Sequence, residues 1–232
     1  DVDIKITGCL HAGSYDPNDF LSRQSMGVWA EPLENSWFQI IDTIFVATKF
    51  HKKLLTANRW VYPDKIQVTG FPLYDDFSYT TPKENIVVFP HRLDDEKQPK
   101  LFDKLADALK NTGWQFIKSK DICHNKKEYY DLLSKSKIAV SFALQETWGI
   151  AMQEAVYLGN VPVCPDRLSY SEMYHKSFLY KEPELKEAIA KVSLFIRNWT
   201  EDAESQAQWA ALQKKALLER NTKAIQKMIE LL

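Results

Sequence analysis

Only seven glycines occur in the 232 residues, and none falls in the spacing of a G-x-G-x-x-G dinucleotide loop or a Walker phosphate loop. Dehydrogenase and ATPase readings built on such loops are excluded. Cysteine is as scarce: Cys9, Cys123 and Cys164 are odd in number, far apart and outside any C-x-x-C spacing. Neither a disulfide framework nor a zinc site is expected, and a reduced, cytoplasmic compartment is. His51, His91, His124 and His175 are not spaced as a metal quartet, so no metal site is expected. No run approaches the ~20 apolar residues of a membrane-spanning helix, and the opening DVDIKITGCLHAG lacks the charged start and apolar core of an export signal. An excess of either charge is missing too, since 30 Lys and Arg stand against 31 Asp and Glu. That balance neither requires nor excludes a nucleic-acid partner, because a local basic groove remains compatible with it.

What is present is an ordinary globular composition, 45% hydrophobic and 26% charged, with length enough for a substantial core. The chain opens without methionine and almost directly on an alternating strand pattern, which reads as a piece cut from something longer. Residues 2 to 10 are expected as a strand, and 11 to 35 as a long polar connector of the kind that carries function. WFQIIDTIFVATKF reads as helix then strand, HKKLLTANRW as a helix, and KIQVTGFPLYDDF as a short strand ending at Gly70 and Pro72. The segment from Gly70 to Glu84 is the expected inter-domain linker.

Beyond it the rhythm becomes regular. NIVVFP suits a strand buried on both faces, KQPKLFDKLADALKNTG a helix stopped by Gly113, and WQFIKS another strand. NKKEYYDLLSKSK, IAVSFAL, GIAMQEAVYLGN and VPVCP continue as helix, strand, helix and last short strand, with helices over 183 to 198 and 201 to 232. Strands alternating with helices imply an α/β domain with a parallel sheet, whose ligands sit beyond the carboxyl ends of the strands. The division expected is an N-terminal portion with linker over 1 to 75, a Rossmann-like domain over 76 to 200 and a C-terminal helix over 201 to 232.

Motifs just after strands therefore matter most. In FPHRLDDEK, Arg92 and Lys97 follow a strand end and precede a helix. Arginine offers a planar fork to phosphate oxygens and lysine a compact charge, a combination suited to a diphosphate. Composition alone favours a solvated helix start. In SFALQETWGIAMQEAVYLGN, the helix beginning near Ile150 turns its free N–H groups toward whatever lies above the loop, as in an anion site. Glu146 falls in the loop and Glu154 inside the helix, where carboxylates can accept hydrogen bonds from sugar hydroxyls. A helix-start acid and a solvated helix face explain the same spacing. Asp16 and Asp19 suit either contact with an acceptor or the capping of turns, and turns are the favoured reading. Ser169 and Ser171 lack the setting of a nucleophile elbow and read as ties in a loop.

Taken together, RLDDEK, the E-x7-E pair Glu146 and Glu154, Gly149 and the following EA...G..PV resemble the donor-binding half of GT-B glycosyltransferases of the retaining, glycogen-synthase-like superfamily. FPHRLDDEK, VSFALQETWGIAMQEAVYLGNVPVCP and LSYSEMY are most similar to the subgroup that includes the queuosine-tRNA mannosyltransferases. The clear resemblance covers about residues 85 to 180. It implies a GT-B fold with a truncated N-terminal Rossmann-like portion, and transfer of a sugar from a nucleoside-diphosphate donor to a hydroxyl with retention. Arg92 and Lys97 would hold the diphosphate and Glu154 the ribose. Glu146 and the loop from Thr147 through Trp148, Gly149, Ile150 and Ala151 would address the donor sugar, with His11 facing it from the N-terminal side. No metal or other cofactor is implied. The acceptor implied is a modified nucleoside in tRNA; a hydroxylated base in DNA, a glycan or a small molecule stays open. A missing N-terminal segment or a partner subunit would supply the rest of the acceptor half, and a non-catalytic nucleotide-sugar-binding module is the alternative. The shortened KSKDICHNKKEYY leaves the nucleotide undecided, with Asp121 to His124 near the expected base pocket.

Overall fold

The computed structural model describes residues 4–23, 27–73, 81–182 and 184–232. Residues 74–80 of the expected linker, and parts of the segments expected over 2 to 10, 11 to 35 and 183 to 198, lie outside the described residues. The chain forms two compact units: Asp1–Pro72 with Gln145–Trp148 and Arg220–Leu232, and Leu73–Leu144 with Gly149–Glu219.

In the first unit, β1 (Thr7–Leu10), α1 (Gly27–Ile40), β2 (Thr43–Val46), α2 (Lys49–Asn58) and β3 (Ile66–Val68) build a three-stranded parallel sheet in the order β1-β2-β3. The core lies where Ile44 and Val46 of β2 meet Tyr15, Phe38, Leu55 and Ile66. α2 starts cleanly because the Thr48 hydroxyl accepts from the His51 amide, a side-chain cap on an otherwise orphaned donor. The polar connector expected over 11 to 35 is shorter than the sequence implied, for α1 already begins at Gly27 and contains Pro32. Its first turns expose Val28 and Trp29, so no buried apolar stripe marks the helix start in the sequence.

The second unit contains β4 (Ile86–Phe89), α3 (Pro99–Ala108), β5 (Gln115–Lys118), α4 (Ser119–Ile122), α5 (Lys126–Lys135), β6 (Ile138–Val140), α6 (Ile150–Tyr157), β7 (Val161–Pro165), α7 (Tyr170–Met173), β8 (Leu179–Tyr180) and α8 (Glu184–Glu201). α9 (Ala203–Glu230) contributes to this unit up to Glu219 and to the first from Arg220. The sheet is five-stranded and parallel, in the order β5-β4-β6-β7-β8. Every residue of β4, β6 and β7 is buried, as expected for parallel strands covered on both faces. Val87, Phe89, Phe102, Leu105, Val140 and Val163 form the heart of the core, and Val192, Phe195 and Trp199 of α8 pack over it. VPVCP is not the last strand, because β8 adds a further pair at the edge. A two-residue strand carries too short a pattern to register in sequence.

The order of this sheet places its functional edge. Numbered from the first strand of the unit, it runs 2-1-3-4-5, and the direction of winding reverses between β4 and β6. In doubly wound sheets the crevice at that reversal is where ligands bind.

Candidate functional site

The loops leaving β4 and β6 meet at the reversal. The Leu144 amide donates to the Glu96 carbonyl at 2.7 Å, and the Gln98 side-chain amide donates to the Phe142 carbonyl at 2.7 Å. That second bond holds Gln98 in a left-handed conformation, φ 55° and ψ 53°, which a residue with a Cβ adopts only when its surroundings compensate. Pro99 follows as the first residue of α3, its missing N–H costing nothing there. The sequence HRLDDEKQP is thereby folded into a tight bend with a 3-10 turn over Asp95–Lys97.

Arg92 and Lys97 both lie in this bend, with different surroundings. The Arg92 side chain is 55% exposed and pairs with Asp94 at 3.2 Å and with the buried Glu96 at 2.9 Å. Those carboxylates fix the guanidinium, and the sequence reading had given neither a role. Lys97 is buried. Beneath them lies His91, whose imidazole burial, together with the Lys97 and Arg92 cations, holds well below its usual pKa. A neutral His91 at the base of two cations adds no further positive charge to the bend.

The loop after β6 divides between the units. Gly149 is the N-cap of α6, with φ 69° and ψ 45° and no side-chain cap. Glycine is needed because that left-handed conformation strains any L side chain. Ile150 and Ala151 begin the helix, and a helix start, whose first N–H groups have no partner within the helix, favours an anion. Glu154 sits one turn inside α6 and is buried. It is not a solvated helix face: Lys126 Nζ donates to its Oε1 at 2.9 Å and the Tyr130 hydroxyl donates to the same oxygen at 2.8 Å. Burial pulls the Lys126 pKa down, but the Glu154 carboxylate and the Tyr130 hydroxyl outweigh it, and the net shift is upward. Lys126 and Tyr130 were missed in the sequence. The available signal was a lysine in the first turn of a helix, against the helix dipole.

Gln145–Trp148 belong to the first unit. The Thr147 hydroxyl donates to the His11 carbonyl, and the Thr48 hydroxyl donates to the Thr147 carbonyl at 3.0 Å. Trp148 is buried and meets Phe71 edge-on at 6.1 Å, while Phe71 packs against the His11 ring at 4.5 Å. The side chains of Thr147 and Trp148 are thus spent on packing and anchoring. Glu146 is half-buried and couples to His11, whose pKa burial lowers while the Glu146 carboxylate raises it.

The expected site residues thus fall into two groups: Arg92, Lys97, Gly149, Ile150, Ala151 and Glu154 in the second unit, and His11, Glu146, Thr147 and Trp148 in the first. Asp16 and Asp19 each accept a backbone N–H two residues on, from Asn18 and Leu21, as turn caps do. Near the shortened segment, Lys118 pairs with Asp103 at 2.8 Å and Asp121 at 3.6 Å, and the His124 amide donates to Glu128 at 2.7 Å. Among the described residues no group of three or more His, Cys, Asp or Glu side chains is arranged to hold a metal ion. No described helix is long and apolar enough to cross a membrane.

No protein-family model matches the chain. The tRNA-queuosine alpha-mannosyltransferase of Drosophila melanogaster is 29% identical over 133 residues, which make up 55% of this chain and 32% of that protein. Among solved structures, a point mutant of S. aureus TarM in complex with Fondaparinux, alpha-GlcNAc-glycerol and UDP aligns with a TM-score of 0.75 at 15% identity, over 98% of this chain and 50% of TarM. Anabaena HepE in complex with UDP and glucose aligns with a TM-score of 0.71 at 14% identity, over 98% of this chain and 71% of HepE. The chain therefore spans about a third of the fly relative and half of TarM. At these identities the likeness establishes the fold alone, an α/β architecture of the GT-B type.

Proposed function

We propose that this chain binds a nucleoside-diphosphate sugar and transfers the sugar to an acceptor hydroxyl with retention of anomeric configuration. The observation that carries the reading is the convergence, at the strand-order reversal between β4 and β6, of a bend bearing Arg92 and Lys97 with the loop that leads through Gly149 into α6. A departing diphosphate gains negative charge as the glycosidic bond breaks. Preorganised cations and helix N–H groups stabilise that charge more than they stabilise the bound donor, which is what lowers a barrier. Arg92 supplies the fork, Lys97 the buried point charge and Gly149 to Ala151 the N–H groups, so transfer is expected to persist when divalent ions are chelated. Glu154 accepts from the ribose hydroxyls. His11 and Glu146, coupled within the first unit, address the transferred sugar. UDP or UDP with a sugar accompanies both solved structures, which supports the donor class. The name of the fly relative favours a modified nucleoside in tRNA as acceptor, and the three scattered, unpaired-by-spacing cysteines favour a cytoplasmic setting.

A panel of nucleoside-diphosphate sugars screened by thermal shift tests the reading, since a ligand at 100 times its Kd adds about 2.7 kcal/mol of stability. Stabilisation by at least one donor is expected, and release or transfer of its sugar should fall about 10²–10³-fold in Arg92→Ala with the fold unchanged. A chain that no nucleotide sugar stabilises would refute the proposal. Binding without turnover would leave the binding-module alternative.

A further inference from the structure

We infer that Lys126 and Tyr130 are positioning residues that aim the Glu154 carboxylate at a ribose diol, so that this pair sets the preference for ribonucleotides over deoxyribonucleotides. The inference rests on the nucleotide-binding reading above. Lys126 occupies the first position of α5, directly after the N-cap Asn125, where the partial positive charge of the helix end opposes a cation. Its side chain is 69% exposed and free to turn into water. It instead reaches across to α6. The ammonium donates to Glu154 Oε1 and lies 5.0 and 4.9 Å from the ring centroids of Tyr129 and Tyr130. Two aromatic faces and a carboxylate thus hold a long, flexible cation in a place that its own helix disfavours.

The effect falls on Glu154. The Lys126 and Tyr130 donors both land on Oε1, which fixes the plane of a side chain only 8% exposed; on this inference the ligand hydroxyl falls to the other oxygen, Oε2. A ribose offers adjacent 2′ and 3′ hydroxyls, and a carboxylate locked in one plane discriminates their presence far better than a rotating one. The neighbouring Tyr129 hydroxyl reaches the Pro90 carbonyl at 3.5 Å and also lies against the Glu154 carboxylate. This places α5 against the start of the bend that carries Arg92, consistent with the ribose and diphosphate ends of one ligand.

Calorimetric titration of the full chain with UDP, GDP and ADP, and with their 2′-deoxy and 2′,3′-dideoxy forms, tests the inference. The wild type should prefer one ribonucleotide over its deoxy forms. In Lys126→Met and in Tyr130→Phe, the affinity for that ribonucleotide should fall about tenfold while the deoxy forms bind as before, and Lys126→Arg should restore much of the preference. If no diphosphate binds the wild type, the nucleotide reading fails and this inference with it. If the ribonucleotide binds with a preference that Lys126→Met and Tyr130→Phe leave intact, the inference alone is overturned. Equal weakening of ribo and deoxy forms would assign the pair a structural bridge between α5 and α6, and would overturn it as well.

Discussion

The Thr147 hydroxyl donates to the backbone carbonyl of His11, 136 positions earlier in the chain. With the Thr48 hydroxyl donating to the Thr147 carbonyl and Trp148 packed on Phe71, this bond stitches Gln145–Trp148 into the first unit, although they follow a strand of the second. Glu146 is carried along, within electrostatic reach of His11.

The pairing has a direct readout. Burial lowers the His11 pKa and the Glu146 carboxylate raises it, so Glu146→Gln should move the His11 titration to lower pH, as followed by the ring-proton shifts in NMR. An unmoved titration would mean that carboxylate and imidazole do not face each other.

Behind His11, the loop after β1 is held by a buried ion pair. Arg59 Nε donates to Glu34 at 2.7 Å, their side chains are 5% and 12% exposed, and both bond Ser14. Arg59→Leu leaves Glu34 buried without its cation and should cost about 3–5 kcal/mol in urea unfolding. The double variant Glu34→Leu with Arg59→Leu should be more stable than Arg59→Leu alone, because no charge is then stranded.

His51 gives the first unit an acid-sensitive point. It is fully buried, shares a 2.5 Å hydrogen bond with the Tyr15 hydroxyl, and burial, with His11, lowers its pKa to about 4. The unfolded chain protonates near 6.5 and the folded one resists until about 4. Stability from this group is therefore complete above pH 6.5 and drains as the pH falls toward 4, by about 3 kcal/mol in all. His51→Gln should flatten the pH dependence of unfolding across that window; an equally steep profile would assign the acid lability to other groups.

Gly149→Ala tests the start of α6. A Cβ at φ 69° should cost about 1–2 kcal/mol, and the shifted helix end should weaken binding of any diphosphate the wild type takes up. If the variant loses stability yet binds diphosphate unchanged, the α6 N-terminus is not the anion site.

Much of the second unit was legible along the chain because its signals are local. NIVVFP is apolar throughout because β4 is covered on both faces, and Gly113 ends the turn after α3 at φ 75°. In the first unit the signals thin out. α1 exposes its early apolar residues and keeps Glu34 buried for Arg59, the reverse of the pattern by which a helix is recognised. Glu154 shows the same limit at the site. By spacing it read as either a sugar ligand or a solvated acid, and only its burial beside Lys126 and Tyr130 removes the second reading.

By itself the sequence determined a parallel α/β sheet, the strand ends at which chemistry-bearing residues emerge, and a pair of cations after β4, because hydrophobic period and turn chemistry act over a few residues. Tertiary structure alone decided which side chains share an oxygen or a carbonyl. Lys126 and Glu154 are 28 positions apart and Thr147 and His11 136; hydrogen bonds and burial depend on proximity in space, which folding creates and no local pattern encodes.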